Sequence, residues 1–174
     1  GTLWSSGQSN YNGLSSNVPF FTQVGSDNDW KNIFNGHSNI FALKNDNTLW
    51  HAGLNTSSDG GFSTAINLPG TTFNKVLSEN WAYVGSGFRY TLAIKTDGTL
   101  WAWGSVAKST FGVASPLPYE PKQIGTDTNW QQISSGTSGT VGVKIDSSIW
   151  SGGSNTSGVL GLGDTTTRNQ FEQV

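Results

Sequence analysis

The sequence has 174 residues, enough for one ordinary domain, and charged residues make up only 11% of it, against about 25% in a typical soluble domain. The net charge is −2 and no block of like charges occurs, so the sequence does not indicate binding to nucleic acid or to an anionic membrane. It contains no cysteine, which excludes disulfides and thiolate metal sites, and no apolar stretch approaches the roughly 20 residues of a membrane-spanning helix.

Seven of the eight tryptophans mark an internal repeat of about fifty residues. The first series consists of Trp30, Trp81 and Trp130, and the second series of Trp4, Trp50, Trp101 and Trp150. Each first-series tryptophan precedes a second-series one by 20 residues, and only Trp103 lies outside both series. The whole chain, residues 1–174, is thus a single repeat domain with approximate units at 1–46, 47–97, 98–146 and 147–174.

Each unit is predicted to contain four short strands, which we label a to d in chain order. Strand a contains the second-series tryptophan, and strand c begins at the first-series tryptophan. Strand b ends at Val24, Val76, Ile124 and Val174. Strand d is an apolar cluster that is followed directly by Lys44, Lys95 or Lys144. No segment shows a sustained period of 3.6 residues, so almost no helix is expected.

The connection from strand d to strand a carries the clearest turn signal. Asp97-Gly98 predicts a type I′ hairpin turn, because both residue types tolerate positive φ. Asp46-Asn47 and Asp146-Ser147 are weaker forms of the same signal. The repeated aspartates could also form a row of carboxylates with a chemical role, but we interpret them as turn residues.

A four-stranded unit of about fifty residues is typical of a β-propeller blade. The chain starts at strand a and stops at strand b, which gives fourteen strands in an all-β fold, or about three and a half blades. The seven registered tryptophans are expected to form the core between blades, where each ring can bury roughly 150–250 Å².

The segment Thr91-Leu-Ala-Ile-Lys-Thr-Asp-Gly-Thr-Leu-Trp-Ala-Trp-Gly104 resembles the repeat of the regulator of chromosome condensation family, as does Gly158-Val-Leu-Gly-Leu-Gly-Asp164. The resemblance covers the whole chain and implies a seven-bladed β-propeller, of which this chain would hold half. Members include nucleotide-exchange factors, a secreted inhibitor of β-lactamase and many phage virion or surface proteins, so the resemblance implies a fold and not a function. Where the family often has histidine, this sequence has Asn39, Tyr90 and Gly139.

Half a ring would leave two apolar blade faces and two strand edges open, which favours association. Two explanations are possible. The chain is a piece of a longer protein that supplies the remaining blades, or two copies close one ring as a homodimer. The absence of methionine and the abrupt ends favour the first explanation.

The loops from strand a to strand b vary in length, whereas the stretch from strand c to strand a does not. We therefore place the candidate binding residues in the a-to-b loops, at Tyr11, Phe62 and Phe111. Rigid aromatics among small polar residues suit adaptable recognition of proteins or sugars, although these rings could instead fold inward and cap the blades. Asn55 and Asn155 match the glycosylation acceptor pattern, which the repeat explains without a glycan.

No catalytic, cofactor-binding or metal-binding residues are predicted. His37 and His51 lie at non-equivalent repeat positions, and we interpret each as structural. The sequence predicts a non-catalytic structural or protein-interaction module of a phage virion or cell-surface assembly. The alternatives are a carbohydrate-binding propeller, and an enzyme inhibitor or nucleotide-exchange factor. The expected partners are other protein subunits or the remaining blades of the ring, with glycans as a further option and without membrane insertion.

Overall fold

A computed structural model of the chain describes residues 1–8, 13–37, 39–53, 72–76, 80–104 and 120–174. Within these residues the chain forms fourteen β-strands, which confirms the all-β prediction. A bilayer-spanning helix is not found in the described part of the chain. In chain order, the strands are β1 (Trp4–Gly7), β2 (Val18–Gln23), β3 (Trp30–Asn35), β4 (Asn39–Lys44), β5 (Leu49–Gly53), β6 (Asn74–Val76), β7 (Trp81–Ser86), β8 (Tyr90–Lys95), β9 (Leu100–Gly104), β10 (Lys122–Ile124), β11 (Trp130–Ser135), β12 (Gly139–Lys144), β13 (Ile149–Gly153) and β14 (Arg168–Gln173).

The strands form antiparallel sheets in which neighbours in sequence are neighbours in space. β1 and β2 form an N-terminal strand pair. The other twelve strands form three four-stranded sheets, β3-β4-β5-β6, β7-β8-β9-β10 and β11-β12-β13-β14, which we call the first, second and third sheets. A four-stranded antiparallel meander is the architecture of a propeller blade.

The sheets are offset by two strands from the sequence repeat. A sequence unit contains strands a, b, c and d, whereas a four-stranded sheet contains c, d, a and b. Strands c and d of the first, second and third units therefore begin a sheet, and strands a and b of the next unit complete it. The short d-to-a connection is the physical reason, because a tight hairpin loop forces the two strands that it joins into one sheet.

The d-to-a hairpin loops contain three residues, so the predicted type I′ turn is wrong. The Lys95 amide donates to the Thr99 carbonyl, and the Gly98 amide donates to the Lys95 carbonyl, both at 3.0 Å. A type I′ turn needs positive φ at both central residues, whereas this loop has it at Gly98 alone, with φ of 80°. The loop is a type I turn followed by one left-handed residue. Asn47 and Ser147 take that position in the other two sheets, with φ of 62° and 66°.

The left-handed turn residues of the first and second sheets also contact the following sheet. The amide of Trp81 donates to the Asn47 carbonyl at 2.9 Å, and the amide of Trp130 donates to the Gly98 carbonyl at 3.1 Å. These bonds satisfy the backbone where strand c of the next sheet begins. The turn therefore fixes both the hairpin of its own sheet and the start of its neighbour.

The core lies in layers between consecutive sheets. The layer between the first and second sheets includes Phe41, Leu43, Leu49, Val76, Val84 and Trp103. The layer between the second and third sheets includes Tyr90, Leu92, Ile94, Leu100, Trp130 and Ile133. In a third, smaller layer, Leu3 and Val24 of the N-terminal part pack on Ala42 of the first sheet. Because side chains alternate along a strand, each sheet can fill the layers on both of its faces.

Candidate functional site

Each complete sheet holds a lysine against two tryptophans, and we call this set a Trp–Lys–Trp stack. The amino group of Lys44 lies 4.9 Å from the ring centres of both Trp30 and Trp50. A cation over an indole face is stabilised by about 0.5–1 kcal/mol at an exposed site and by about 2 kcal/mol at a desolvated one. The contact recurs for Lys95 with Trp81 and Trp101, at 5.6 and 3.5 Å, and for Lys144 with Trp130 and Trp150, at 4.9 and 3.7 Å.

Strand pairing explains why residues so far apart in sequence meet in these stacks. The strand-c tryptophan lies opposite the lysine that ends strand d. The residue opposite the strand-a tryptophan is small in all three sheets: Ala42, Ala93 and Gly142. A Cβ added to Gly142 would approach the Trp130 ring to 2.6 Å. The small residue therefore makes room for the strand-c indole.

A hydrogen-bond chain orients each strand-a tryptophan. In the second sheet the indole N–H of Trp101 donates to the Thr99 hydroxyl at 2.8 Å, and that hydroxyl donates to Asp97 Oδ1 at 2.6 Å. The hydrogen bonds from the Thr99 side chain and backbone hold the pKa of Asp97 below its usual value. The same chain joins Asp46, Thr48 and Trp50, and also Asp146, Ser148 and Trp150. The interpretation of the aspartates as turn residues is confirmed.

Trp4 differs from the other registered tryptophans. Its indole N–H donates to the Thr2 hydroxyl at 2.9 Å, as in the complete sheets, yet the residue is 51% exposed. The prediction that all seven registered tryptophans belong to the core is therefore wrong for Trp4. Its strand, β1, pairs with β2 on one side only, so no strand-c tryptophan and no lysine of the described chain covers it.

Repeat-equivalent apolar residues differ in exposure at the two ends of the stack of sheets. In strand c, Val84 and Ile133 are buried, whereas Ile33 is 51% exposed. In strands d and a of the third sheet, Val141 and Ile149 are 40% and 47% exposed, although their equivalents in the first two sheets are buried. A neighbouring sheet covers the buried positions, and no described sheet covers the exposed ones. Among the described residues, both ends of the stack therefore leave inter-sheet positions uncovered.

Each open end contains a cleft. The N-terminal cleft, of about 220 Å³, lies beside β1, and its lining includes Leu3, Trp4, Phe21, Ile33 and Phe73. The C-terminal cleft, of about 390 Å³, lies at the β11–β12 connection and is lined by residues 134–141 with Val159 and Leu160. The two clefts and the exposed apolar residues around them form the candidate functional site.

Neither His37 nor His51 lines either cleft. His51 is fully buried with its ring centre 5.0 Å from that of Phe41, and burial lowers its pKa to about 3. It is therefore neutral near pH 7 and has no access to a substrate. His37 is exposed and packs edge-on against Phe88. In the part of the chain that the structure describes, no three His, Asp or Glu side chains converge as a metal ion would require.

The loop between β13 and β14 is a structural unit organised by Asn155. The buried Asn155 amide donates to the Asp164 carbonyl at 2.8 Å and accepts from the Leu160 amide at 3.0 Å. Arg168 binds both oxygens of Asp164, and this bond is the main reason that the pKa of Asp164 falls to about 2. Asn155 is thus occupied inside the loop, in agreement with the interpretation of its acceptor pattern as a repeat feature.

Some predicted binding residues lie outside the described part of the chain, and one buried tryptophan was not predicted. The predicted binding residues Tyr11, Phe62 and Phe111 lie outside the described residues, as does Asn55, and Tyr11, Phe62 and Phe111 stay predictions. Trp103, which lies outside both tryptophan series, is completely buried, with its ring centre 5.6 Å from that of Trp81. Trp103 follows Trp101 by two residues and therefore lies on the same face of the strand. This spacing could have predicted that Trp103 is part of the core.

Comparisons with known proteins find structural likeness only. No protein-family model matches the chain, and no curated protein matches it either. Among solved structures, yeast RCC1 (Prp20) bound to Kap60 superposes with a TM-score of 0.78 at 20% identity, over 98% of this chain and 44% of that one. Prp20p from Saccharomyces cerevisiae gives 0.80 at 19% identity, over 99% and 45%. Human WBSCR16 gives 0.75 at 16% identity, over 92% and 42%.

These superpositions extend across nearly all of this chain but less than half of each solved structure. At such low identity, they establish the fold and leave the function open. The four-stranded sheets, the turn geometry repeated in each sheet and the superpositions all indicate the same fold. The chain therefore has the fold of RCC1-type β-propeller repeats, and spans about half the length of the propeller proteins that it resembles.

Proposed function

We propose that this chain is a non-catalytic protein-interaction module that packs its open ends against other proteins of a larger assembly. The observation that carries the proposal is the exposure of inter-sheet residues at both ends. Ile33 at one end, and Val141 and Ile149 at the other, are 40–51% exposed. Their repeat equivalents are buried between sheets, so these residues have the chemistry of a protein–protein contact.

The ion pairs and hydrogen bonds of the polar residues support a role without catalysis. Lys44 and Lys144 form ion pairs with Asp27 and Asp127, at 2.6 and 2.7 Å, in addition to their contacts with tryptophan. The turn aspartates bind the neighbouring threonine or serine, and His51 is neutral and buried. Among the described residues, these lysines, turn aspartates and the buried histidine thus have structural contacts within the sheets.

Protein binding by structural neighbours also supports the proposal. Prp20 is bound to Kap60 in one of the superposed structures, and binding of Prp20p to Gsp1p and histones is described for the other. Propellers of this fold can therefore serve as protein-binding scaffolds. We extend the proposal to an assembly at a virion or cell surface, because the sequence is poor in charge and rich in small uncharged polar residues.

Association in solution tests the proposal. We expect sedimentation velocity to show that the chain associates increasingly with concentration, and that it binds an apolar dye when dilute. The variant with Val141→Asp and Ile149→Asp should associate less at every concentration, because a carboxylate cannot be buried without a partner. The control variant with Thr96→Asp and Thr126→Asp adds the same two charges at exposed positions of the β8–β9 turn and the β10–β11 connection, and should leave association unchanged.

A monomer at all concentrations that melts cooperatively and binds no apolar dye would contradict the proposed function. Equal association of the Val141→Asp, Ile149→Asp variant and the wild type would show that the third sheet is not the contact surface.

A further inference from the structure

We propose that a cleft between the second and third sheets is a binding site for a neutral monosaccharide. We call it the inter-sheet cleft. Its volume is about 360 Å³, within the range of roughly 300–1,000 Å³ that is typical of small-molecule sites. Its lining does not include Ile33, Val141 or Ile149, so the inference goes beyond the proposed interaction role and does not depend on it.

The floor of the inter-sheet cleft is apolar and partly aromatic. Leu100 of β9 and Trp130 of β11 belong to the core layer between the two sheets and are only 1% and 5% exposed. Ile124 of β10 and Phe171 of β14 pack against this layer but are half-buried. The core layer is therefore incomplete at this place, and the cleft gives a small molecule access to apolar and aromatic surface.

A bulge in β14 places a polar side chain beside this floor. Between Ser151 and Gly153, β13 advances by two residues while β14 advances by four. The bulge interrupts the alternation of side chains along β14, and the consecutive residues Gln170 and Phe171 both line the cleft. An amide and an aromatic ring are thus presented to the same ligand.

The polar groups of the cleft suit a ligand with hydroxyl groups. The exposed side chain of Gln170 has no hydrogen bond to another described residue, and its amide can both donate and accept. Asp127, in the β10–β11 connection, binds the Lys144 amino group through Oδ2 at 2.7 Å, and its Oδ1 has no partner among the described residues. A hydroxyl group both donates and accepts, so it can bind to either side chain.

The charges around the cleft favour a neutral ligand. Lys144 neutralises Asp127, and its amino group lies 4.9 and 3.7 Å from the ring centres of Trp130 and Trp150. The chain's own lysine thus occupies the position at which a cationic ligand would meet both a carboxylate and an indole. The described lining contains no Lys, Arg or His, so an anionic ligand would lack a partner of opposite charge.

A monosaccharide combines the properties that this lining selects. The ring of a pyranose has apolar C–H faces and a rim of hydroxyl groups. One face would pack on Phe171 and Trp130, and the hydroxyl groups would bind Gln170 and Asp127. An entirely apolar ligand would displace water from these two polar side chains without replacing its hydrogen bonds.

The sequence left a carbohydrate-binding propeller open as an alternative and placed its candidate residues in the a-to-b loops. The inter-sheet cleft is a different place, because strands β9, β10, β11 and β14 and the β10–β11 connection form it. Its residues could not be assembled from the sequence, since they come together only through the packing of two sheets and the bulge in β14.

NMR titration of the isotope-labelled full chain tests the site. D-Glucose, D-galactose, D-mannose and N-acetyl-D-glucosamine are added separately, and the N–H resonances of the backbone and of the indoles are followed. We expect at least one sugar to shift the Trp130 indole N–H and the backbone amides of Ile124 and Phe171, with a Kd of about 1–10 mM. Cyclohexanol, a ring of similar size with a single hydroxyl group, and tetramethylammonium, a cation, serve as comparison probes and should bind more weakly.

Substitutions in the cleft should weaken sugar binding without unfolding the chain. Gln170→Ala removes an exposed side chain, and we expect it to raise the Kd by about three- to tenfold, the effect of one lost hydrogen bond. Phe171→Leu keeps an apolar side chain but removes the aromatic face, and should raise the Kd by about two- to tenfold. Gln123→Ala removes an exposed glutamine of β10 that does not line the cleft and should leave the Kd unchanged. The same spectra show whether each variant is folded.

The absence of shifts at Trp130, Ile124 and Phe171 with all four sugars would overturn the inference, as would equal Kd values for Gln170→Ala and the wild type. Binding of cyclohexanol or tetramethylammonium as tight as that of the best sugar would assign the cleft to apolar or cationic ligands instead and would also overturn it. A chain that binds a sugar but never associates would retain this site and reject the proposed function. Association through Val141 and Ile149 without sugar binding would do the reverse.

Discussion

The left-handed residue of the d-to-a turn links local conformation to the packing of sheets. This position is Asn47, Gly98 or Ser147, and each has a φ between 62° and 80°. The sequence predicted a turn here from the aspartates, and that prediction is confirmed. It missed the turn type, because Asp-Gly suits both a two-residue turn and a three-residue turn with a left-handed last residue.

Replacing Ser147 by glycine should stabilise the fold. A left-handed conformation costs a residue with a Cβ about 1–2 kcal/mol, which glycine avoids. The greater conformational freedom of glycine in the unfolded chain offsets about 0.5–1 kcal/mol of this stabilisation. We therefore expect Ser147→Gly to raise the free energy of unfolding by about 0.5–1 kcal/mol, measured by urea denaturation.

Gly98→Ala is the matched opposite change. A Cβ at Gly98 would collide with the Thr128 carbonyl in the β10–β11 connection, so this variant should lose about 1–3 kcal/mol. A destabilised Ser147→Gly, or a neutral Gly98→Ala, would show that this turn position does not have the conformation described.

His51 should make the stability depend on pH. Burial lowers its pKa from an ordinary value near 6.5 to about 3, so the folded chain binds this proton only in strong acid. As the pH falls from 6.5 towards 3, the unfolded chain takes up the proton first, and the free energy of unfolding falls by up to about 1.4 kcal/mol per pH unit. Above pH 6.5 this contribution is fully present and constant.

The substitution His51→Leu should flatten the stability profile between pH 6.5 and 4.5, in chemical denaturation at each pH. The exposed His37→Gln serves as the control for the loss of a histidine. An unchanged slope in the His51→Leu variant would mean that the imidazole is accessible to protons in the folded chain.

At the scale of the strand and sheet, the Trp–Lys–Trp stack holds strands c, d and a together. Its elements were readable from the sequence, since strands c begin at Trp30, Trp81 and Trp130 as predicted. The packing of the lysine against the two tryptophans could not be predicted from the sequence. It depends on which strands pair with one another, and tertiary contacts determine that pairing. The two-strand offset between repeat and sheet was missed for the same reason.

Removing the charge from one stack should destabilise its sheet. Lys144 lies against Trp130 and Trp150 and binds Asp127 at 2.7 Å, with its side chain only 7% exposed. Lys144→Met keeps a flexible apolar stem and removes the cation, so we expect a loss of about 1–2 kcal/mol in the free energy of unfolding.

The exposed Lys122→Met is the control for this change and should lie within about 0.5 kcal/mol of the wild type. Equal stability of the Lys144→Met and Lys122→Met variants in thermal and urea melts would refute a stabilising role for the stack.

At the scale of the whole molecule, the strand count and fold followed from the sequence, and the burial of individual residues did not. Fourteen strands were predicted and are found in the described residues, and the predicted RCC1-type repeat fold is confirmed. The exposure of Trp4 was not predicted, because all seven registered tryptophans are alike in sequence and differ only in what covers them. The candidate site therefore came from comparing equivalent positions in three dimensions, which a single sequence cannot provide.

The central proposal is that inter-sheet positions left uncovered among the described residues serve as contacts for other proteins. Amide hydrogen exchange in β8 and β12 tests it most directly, because these equivalent strands both lie inside four-stranded sheets but only β8 is covered by a following sheet. In the dilute chain we expect Gly139–Lys144 to exchange faster than Tyr90–Lys95, and to slow as association covers the third sheet. Equal protection of the two strands at every concentration would contradict the account.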